Sequence, residues 1–194
     1  MRNLLIAFLV LGGLYLLTNY SKSKNYTKTN ELFTGSKEDV AKVLIQKGAE
    51  AIELVKGEEA WQISGNDTLV VRQNRIDDLF DKVLEVKTGT VVSKNPDKWT
   101  IYSVDDSLGT HLALVNQEDE TIAYYVFGRS KSDYSHNNVR LRGEKESNDV
   151  LKNVYRTNTS VIHHLNTRAT FWGEVPKEPE PIDTLSSVID TTEA

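Results

Sequence analysis

VAKVLIQKGAEAIELVKGEEAWQIS, residues 40–64, reads as three short strands in succession. Val43 and Ile45 fall at alternate positions over residues 40–46, flanked by Lys42 and Gln46. Ile52 and Leu54 share one face over residues 51–56, and Trp61 and Ile63 share one over residues 60–64. Such alternation marks a half-buried strand, because successive side chains point to opposite faces. Lys56-Gly57-Glu58-Glu59 supplies a hairpin turn between the second strand and the third.

Downstream, Ser64-Gly65-Asn66-Asp67 breaks the pattern, and residues 69–71 give one further extended piece. The period then changes. Ile76, Leu79, Phe80, Val83 and Leu84 recur at spacings of three and four, which predicts an amphipathic helix over residues 74–84. Asn74 is placed to cap it, Asp77 and Asp78 complement its positive end, and Lys82 and Lys87 lie toward the other. Residues 88–93 return to a β pattern, and Asn95-Pro96-Asp97 marks a turn. Residues 110–115 and 121–127 pair as a hairpin around Asn116-Gln117-Glu118-Asp119, with Gly128 ending the second strand. Residues 138–142 and 149–153 are shorter strand candidates. A second helix is expected over residues 158–167, with Val161, Ile162 and Leu165 as its apolar side. The chain has no repeat of fixed period. The expected fold is α+β: an N-terminal transmembrane helix, then antiparallel hairpins with one or two packed amphipathic helices.

The N-terminus carries the membrane reading. After Arg2, residues 4–17 form an unbroken apolar run, with Leu4, Leu5, Ile6, Phe8, Leu9, Val10, Leu11, Leu14, Leu16 and Leu17 as its spanning residues. As a helix it covers about 21 Å, short of the ~30 Å hydrocarbon core unless Asn3 and residues 18–20 are counted as interfacial. An uncleaved anchor is the reading taken; a cleaved secretory signal, with an apolar core of 7–15 residues, is its rival. The lipid bilayer is therefore an expected partner. The formal net charge is −5 over 194 residues. Residues 173–194 hold six acidic side chains and Lys177 alone, which is −5 by itself, so the remainder is balanced. No basic face for nucleic acid is implied. Zero cysteines exclude disulfides, thiolate metal sites and cysteine nucleophiles. The organisation expected is an anchor over residues 1–20, a linker over 21–31, a domain over 32–172 and an acidic, proline-rich tail over 173–194.

No constellation of residues points to catalysis, a metal or a cofactor. His163 and His164 are adjacent on the expected helix, where side chains diverge by about 100° and do not share an ion. His111 reads as a packing residue in a strand, and His136 as a solvated loop residue. Asp105-Asp106 lacks the regular oxygen ligands of a calcium loop and reads as a turn. Glycine-flanked serine elbows, phosphate cradles and dinucleotide fingerprints are absent. Trp61, Trp99, Tyr102 and Trp172 are candidate binding-face aromatics, with core packing as the plainer reading.

The order of these features resembles the bacterial family catalogued as domain of unknown function 4340. Leu32-Phe33 and Asp39-Val40 resemble its opening, and residues 52–55 through Trp61 its strand pair. The helix over residues 76–84 falls in the family's place for one. Tyr102-Ser103-Val104-Asp105 resembles a Tyr-Gly-Leu-Asp step, residues 124–128 a strand ending in glycine, and Asn138-Val139-Arg140 a Tyr-Val-Arg segment. Phe171-Trp172 corresponds to the closing tryptophan. The proline after the Tyr-Gly-Leu-Asp step and the basic residues after Trp172 are missing. The resemblance implies a non-catalytic accessory or scaffold domain beyond the inner membrane, beside a gliding-motility-type ABC transporter complex. An extracytoplasmic binder of glycan, lipid or peptide is the alternative, and an unrecognised hydrolase the third reading.

Overall fold

In the computed structural model, which describes residues 30–142 and 148–176, the alternating segments become strands of one large sheet. The strands are β1 (Asn30–Glu31), β2 (Lys42–Lys47), β3 (Glu50–Lys56), β4 (Trp61–Ile63), β5 (Val70–Val71) and β6 (Lys87–Ser93). They continue as β7 (Thr110–Val115), β8 (Thr121–Arg129), β9 (Asn137–Leu141), β10 (Val154–Thr157) and β11 (Gly173–Glu174). Nine of them form an antiparallel sheet in the order β1-β6-β10-β9-β8-β7-β2-β3-β4, and β11 pairs with β5. The three strands of residues 40–64 pair as their alternation requires, with Val43 opposite Leu54 and Leu54 opposite Ile63.

One helix of substance lies on this sheet. It begins as α1 (Gln73–Asp78) and runs on without a break as a π-helical stretch, Leu79–Leu84, twelve residues in all. Its N-cap is Arg72, with no side-chain cap, so Asn74 sits inside the first turn. The stripe read from the sequence is the buried side: Ile76, Leu79, Phe80, Val83 and Leu84. It packs on Val43, Ile45, Leu54, Leu112, Leu114, Phe127 and Val139, all fully buried on one sheet face. Each such side chain contributes about 1.5–3 kcal/mol on leaving water. On the opposite face Val104, Val126 and Val154 form a smaller core beneath residues 95–109, with Trp99 and Tyr102 packed against it. Gly128 permits that cover: a Cβ there would lie 2.2 Å from the Tyr102 carbonyl oxygen. It is a close-approach glycine inside β8 and does not end the strand.

The expected α+β class is therefore corrected: among the described residues the molecule is mostly β, a nine-stranded antiparallel sheet carrying a single twelve-residue helix. The second helix expected over residues 158–167 is only a 3-10 turn, Ile162–His164. Its cause is tertiary. The buried Asn137 Oδ1 accepts hydrogen bonds from the Val161 and Ile162 amides at 2.6 and 3.0 Å, fixing them to β9. The expected strand over residues 149–153 is a helical turn, α2 (Asn148–Leu151), and the strand follows it as β10. One more short turn, α3 (Ala169–Trp172), delivers Trp172 into the core with no exposed surface. The expected transmembrane helix has no counterpart in the described structure: no helix among the described residues is long and apolar enough to cross a membrane. Residues 4–17 and the tail from residue 177 lie outside the described residues.

Candidate functional site

Between β1 and β2 the chain must cross five strands of the sheet, β6, β10, β9, β8 and β7. Six strand spacings amount to about 29 Å, and the eleven steps from Glu31 to Lys42 reach about 36 Å when extended. The connection is accordingly a largely extended strap, with bends at Leu32 and Gly35 and a 3-10 turn at Lys37–Asp39. The Leu32 amide donates to the Val86 carbonyl at 3.1 Å, and the Leu32 carbonyl accepts from the buried Tyr125 hydroxyl at 2.9 Å. At the far end the Ala41 amide donates to the Val115 carbonyl at 2.8 Å.

The strap leaves the end of the sheet uncovered, and an open cleft of about 620 Å³ lies between it, β8, the end of β9 and the β7–β8 turn. Leu32, Phe33, Ala123 and Leu141 give it an apolar floor that continues the main core. Its rim carries Glu38, Asp39 and Glu118 against Arg142. The Ser36 hydroxyl donates to the Glu38 carboxylate, holding its pKa below the usual range. Glu118 is presented by a turn in which Asn116 Oδ1 accepts from the amides of Glu118 and Glu120 at 3.1 and 2.8 Å. Lys42 does not balance these groups, since its Nζ is committed to Asp119 at 2.5 Å, which raises its pKa.

Arg142 is also committed. Its Nη1 donates to Asp106 Oδ1 at 3.2 Å and to the Tyr124 hydroxyl at 3.4 Å. Arg140 Nη2 reaches the same Asp106 oxygen at 2.9 Å, and its Nε donates to the Val104 carbonyl at 3.0 Å. The Arg140 guanidinium stacks on Trp99 at 3.9 Å. His111 closes the network: its Nε2 faces the Asp106 carbonyl at 3.3 Å, and its Nδ1 faces the Tyr124 hydroxyl at 2.9 Å. A carbonyl only accepts, so Nε2 carries the proton and Nδ1 accepts from Tyr124. Burial lowers the pKa of His111, in keeping with that neutral form. Asp106 is shared between Arg140 and Arg142, and the cleft presents three carboxylates against the single, partly paired Arg142 above an apolar floor.

The four aromatics singled out from the sequence do not share a surface. Trp61 packs on Phe80 at a centroid distance of 5.8 Å, and Trp172 is wholly buried, both in the main core. Trp99 and Tyr102 sit together in the cover of the opposite face. His163 and His164, expected to diverge, bring their rings to 4.0 Å at a tilt of 42° on their 3-10 turn, with His164 Nδ1 3.5 Å from Asp78. His136 is bonded to Asp133 at 2.9 Å and is half-buried. The cleft residues escaped the sequence reading because Phe33, Glu118 and Leu141 meet only once the strap has crossed the sheet. The one local signal was acidity, at Glu38-Asp39 and in residues 118–120. No family model, curated protein or solved structure matches the chain.

Proposed function

We propose that this domain is an accessory binding module of a protein complex, and that its cleft receives a cationic, partly apolar segment of a partner polypeptide. The observation that carries the reading is the pairing of a three-carboxylate rim with an apolar floor in one cleft. Its volume lies within the ~300–1,000 Å³ of ordinary ligand sites. Charge complementarity sets orientation and discriminates partners, while the buried apolar side chain supplies most of the affinity. The resemblance to the family of unknown function 4340 implies the same accessory role.

One buried leucine contributes about 1.5–3 kcal/mol and each exposed ion pair about 0.2–1 kcal/mol. After association costs, an isolated hexapeptide is expected to bind in the millimolar range. The test is fluorescence anisotropy of labelled Lys-Leu-Lys-Val-Lys-Leu against Glu-Leu-Glu-Val-Glu-Leu, with the full chain at constant ionic strength. The lysine peptide should bind about tenfold more tightly, and the variant carrying Glu38→Lys and Glu118→Lys should abolish that preference. Equal binding of the two peptides, or a preference that survives the charge reversal, overturns the reading.

A further inference from the structure

The other end of β8 carries the opposite electrostatics. The strand has nine residues, so at about 3.3 Å per residue its ends lie roughly 26 Å apart. Beyond Arg129 the β8–β9 connection, residues 130–136, borders a separate hollow of about 300 Å³. Lys131, Arg156, His136, Ser130 and Ser132 line it, with Val92, Ile101 and Tyr102 as its apolar side.

Asp133 is the single carboxylate of this lining and is already used as a clamp. Its Oδ2 accepts from Arg156 Nη2 and faces His136 Nδ1 at 2.9 Å, while its Oδ1 accepts from the Ser135 amide at 3.0 Å. That amide, more than any other cause, holds the Asp133 pKa low. The Asp133 amide in turn donates to Ser130 Oγ at 3.1 Å, which leaves the Ser130 hydroxyl proton free to donate elsewhere. Because a carboxylate only accepts, His136 Nδ1 carries the proton of the neutral ring and Nε2 is an acceptor, so this histidine braces Asp133 and offers no donor to an anion. The hollow thus holds two permanent cations against one carboxylate, and donors on four side chains, Lys131, Arg156, Ser130 and Ser132.

We infer that this hollow is a binding site for a phosphate monoester group. The donor count selects the ligand chemistry. A carboxylate offers two oxygens and is saturated by one guanidinium fork, whereas the three terminal oxygens of a phosphate monoester accept from several directions at once. Lys131 and Arg156 supply the charge, and the Ser130 and Ser132 hydroxyls supply neutral donors to the remaining lone pairs. Asp133 fixes Arg156 beforehand, which lowers the ordering cost of binding. The exposed Ile101, 62 % accessible, offers a contact for whatever the phosphate is attached to. This site is independent of the cleft at the far end of the strand.

The test uses inorganic phosphate as the probe, titrated into the full chain at constant ionic strength while amide shifts are followed by NMR. Saturable binding at or below about 10 mM is expected, with shifts confined to residues 130–136 and their neighbours in β10. Acetate should bind about tenfold more weakly. Arg156→Gln and Lys131→Gln should each weaken phosphate binding about tenfold, while Lys42→Gln, at the opposite end, leaves it unchanged. Absence of saturation, equal affinity for acetate, or indifference to both substitutions overturns the assignment. A well-dispersed spectrum for each variant distinguishes lost binding from lost folding, and Lys131→Gln, on an exposed loop, is the variant that leaves the fold intact.

Discussion

Replacing Gly128 by alanine tests the packing of the second sheet face at a single atom. Gly128 pairs with Asn138 across β8 and β9, and residues 102–104 of the cover pass directly over it. An added Cβ would lie 2.2 Å from the Tyr102 carbonyl oxygen, 2.7 Å from that of Ser103 and 2.8 Å from Val104 Cγ1. Two of these three obstacles are backbone, so no rotamer change relieves them and the cover must lift. Lifting stretches the 3.1 Å hydrogen bond from Asn138 Nδ2 to the Tyr102 carbonyl, worth about 1 kcal/mol. It also opens the Val104–Val126–Val154 core, where overpacking costs about 1–3 kcal/mol. The sum is about 2–4 kcal/mol, or a melting temperature lower by roughly 10 °C for a domain of this size. Gly48→Ala is the control. Gly48 has φ +58° with nothing within 4 Å of a Cβ, so only the left-handed backbone is penalised, by about 1 kcal/mol. Urea unfolding followed by tryptophan fluorescence reads both variants, with Trp99 reporting from the cover itself. Gly128→Ala no more destabilising than Gly48→Ala would refute the close packing of residues 102–104 on β8.

Three further outcomes are expected. Asn137→Ala strands the buried amides of Val161 and Ile162 and should cost about 2–4 kcal/mol in urea midpoint measurements; a change below about 0.5 kcal/mol contradicts its role in stopping the second helix. Arg140→Leu keeps the apolar bulk but removes the stack on Trp99 and the donor to the Val104 carbonyl, which should lower stability by about 2–3 kcal/mol and alter the tryptophan emission. His111 and His164 are both pushed to lower pKa, chiefly by burial, so the unfolded chain takes up protons that the folded one refuses. Stability should therefore fall as pH drops below about 6.5 toward their folded values, and His164→Gln should flatten that slope in melts between about pH 7.5 and 5. A melting temperature that rises toward pH 5 opposes the assignment.

Strand positions were legible wherever one face is buried and the other wet, as along Val43, Ile45, Ile52 and Leu54, because alternation is a local record of burial. The helix stripe was legible for the same reason, from Ile76 to Leu84. What the sequence concealed was how the hairpins join. Nothing local in residues 87–93 or 154–157 says that β6 and β10 will pair and extend the hairpins into one nine-stranded sheet. Val161, Ile162 and Leu165 have helical spacing, yet Asn137, more than twenty positions earlier, claims the amides involved. Asp105-Asp106 read as a plain turn, and Asp105 fits that, accepting from the Ser107 and Leu108 amides at 3.0 and 3.1 Å. Asp106 did not reveal its two arginine partners, which lie 34 and 36 positions away. The cleft shares this property, whereas the hollow takes Ser130, Lys131, Ser132, Asp133 and His136 from one loop and Arg156 from β10. The groups of the cleft come from segments that meet only after the sheet has closed its order.

The proposal of a cation-accepting cleft is tested most directly by titrating the lysine hexapeptide into the isotopically labelled full chain and mapping the amide shifts. Saturable changes concentrated at Phe33, Glu38, Glu118, Ala123 and Leu141, lost after charge reversal at Glu38 and Glu118, are the predicted result. Shifts scattered over the surface, or no saturation by about 10 mM peptide, would contradict it.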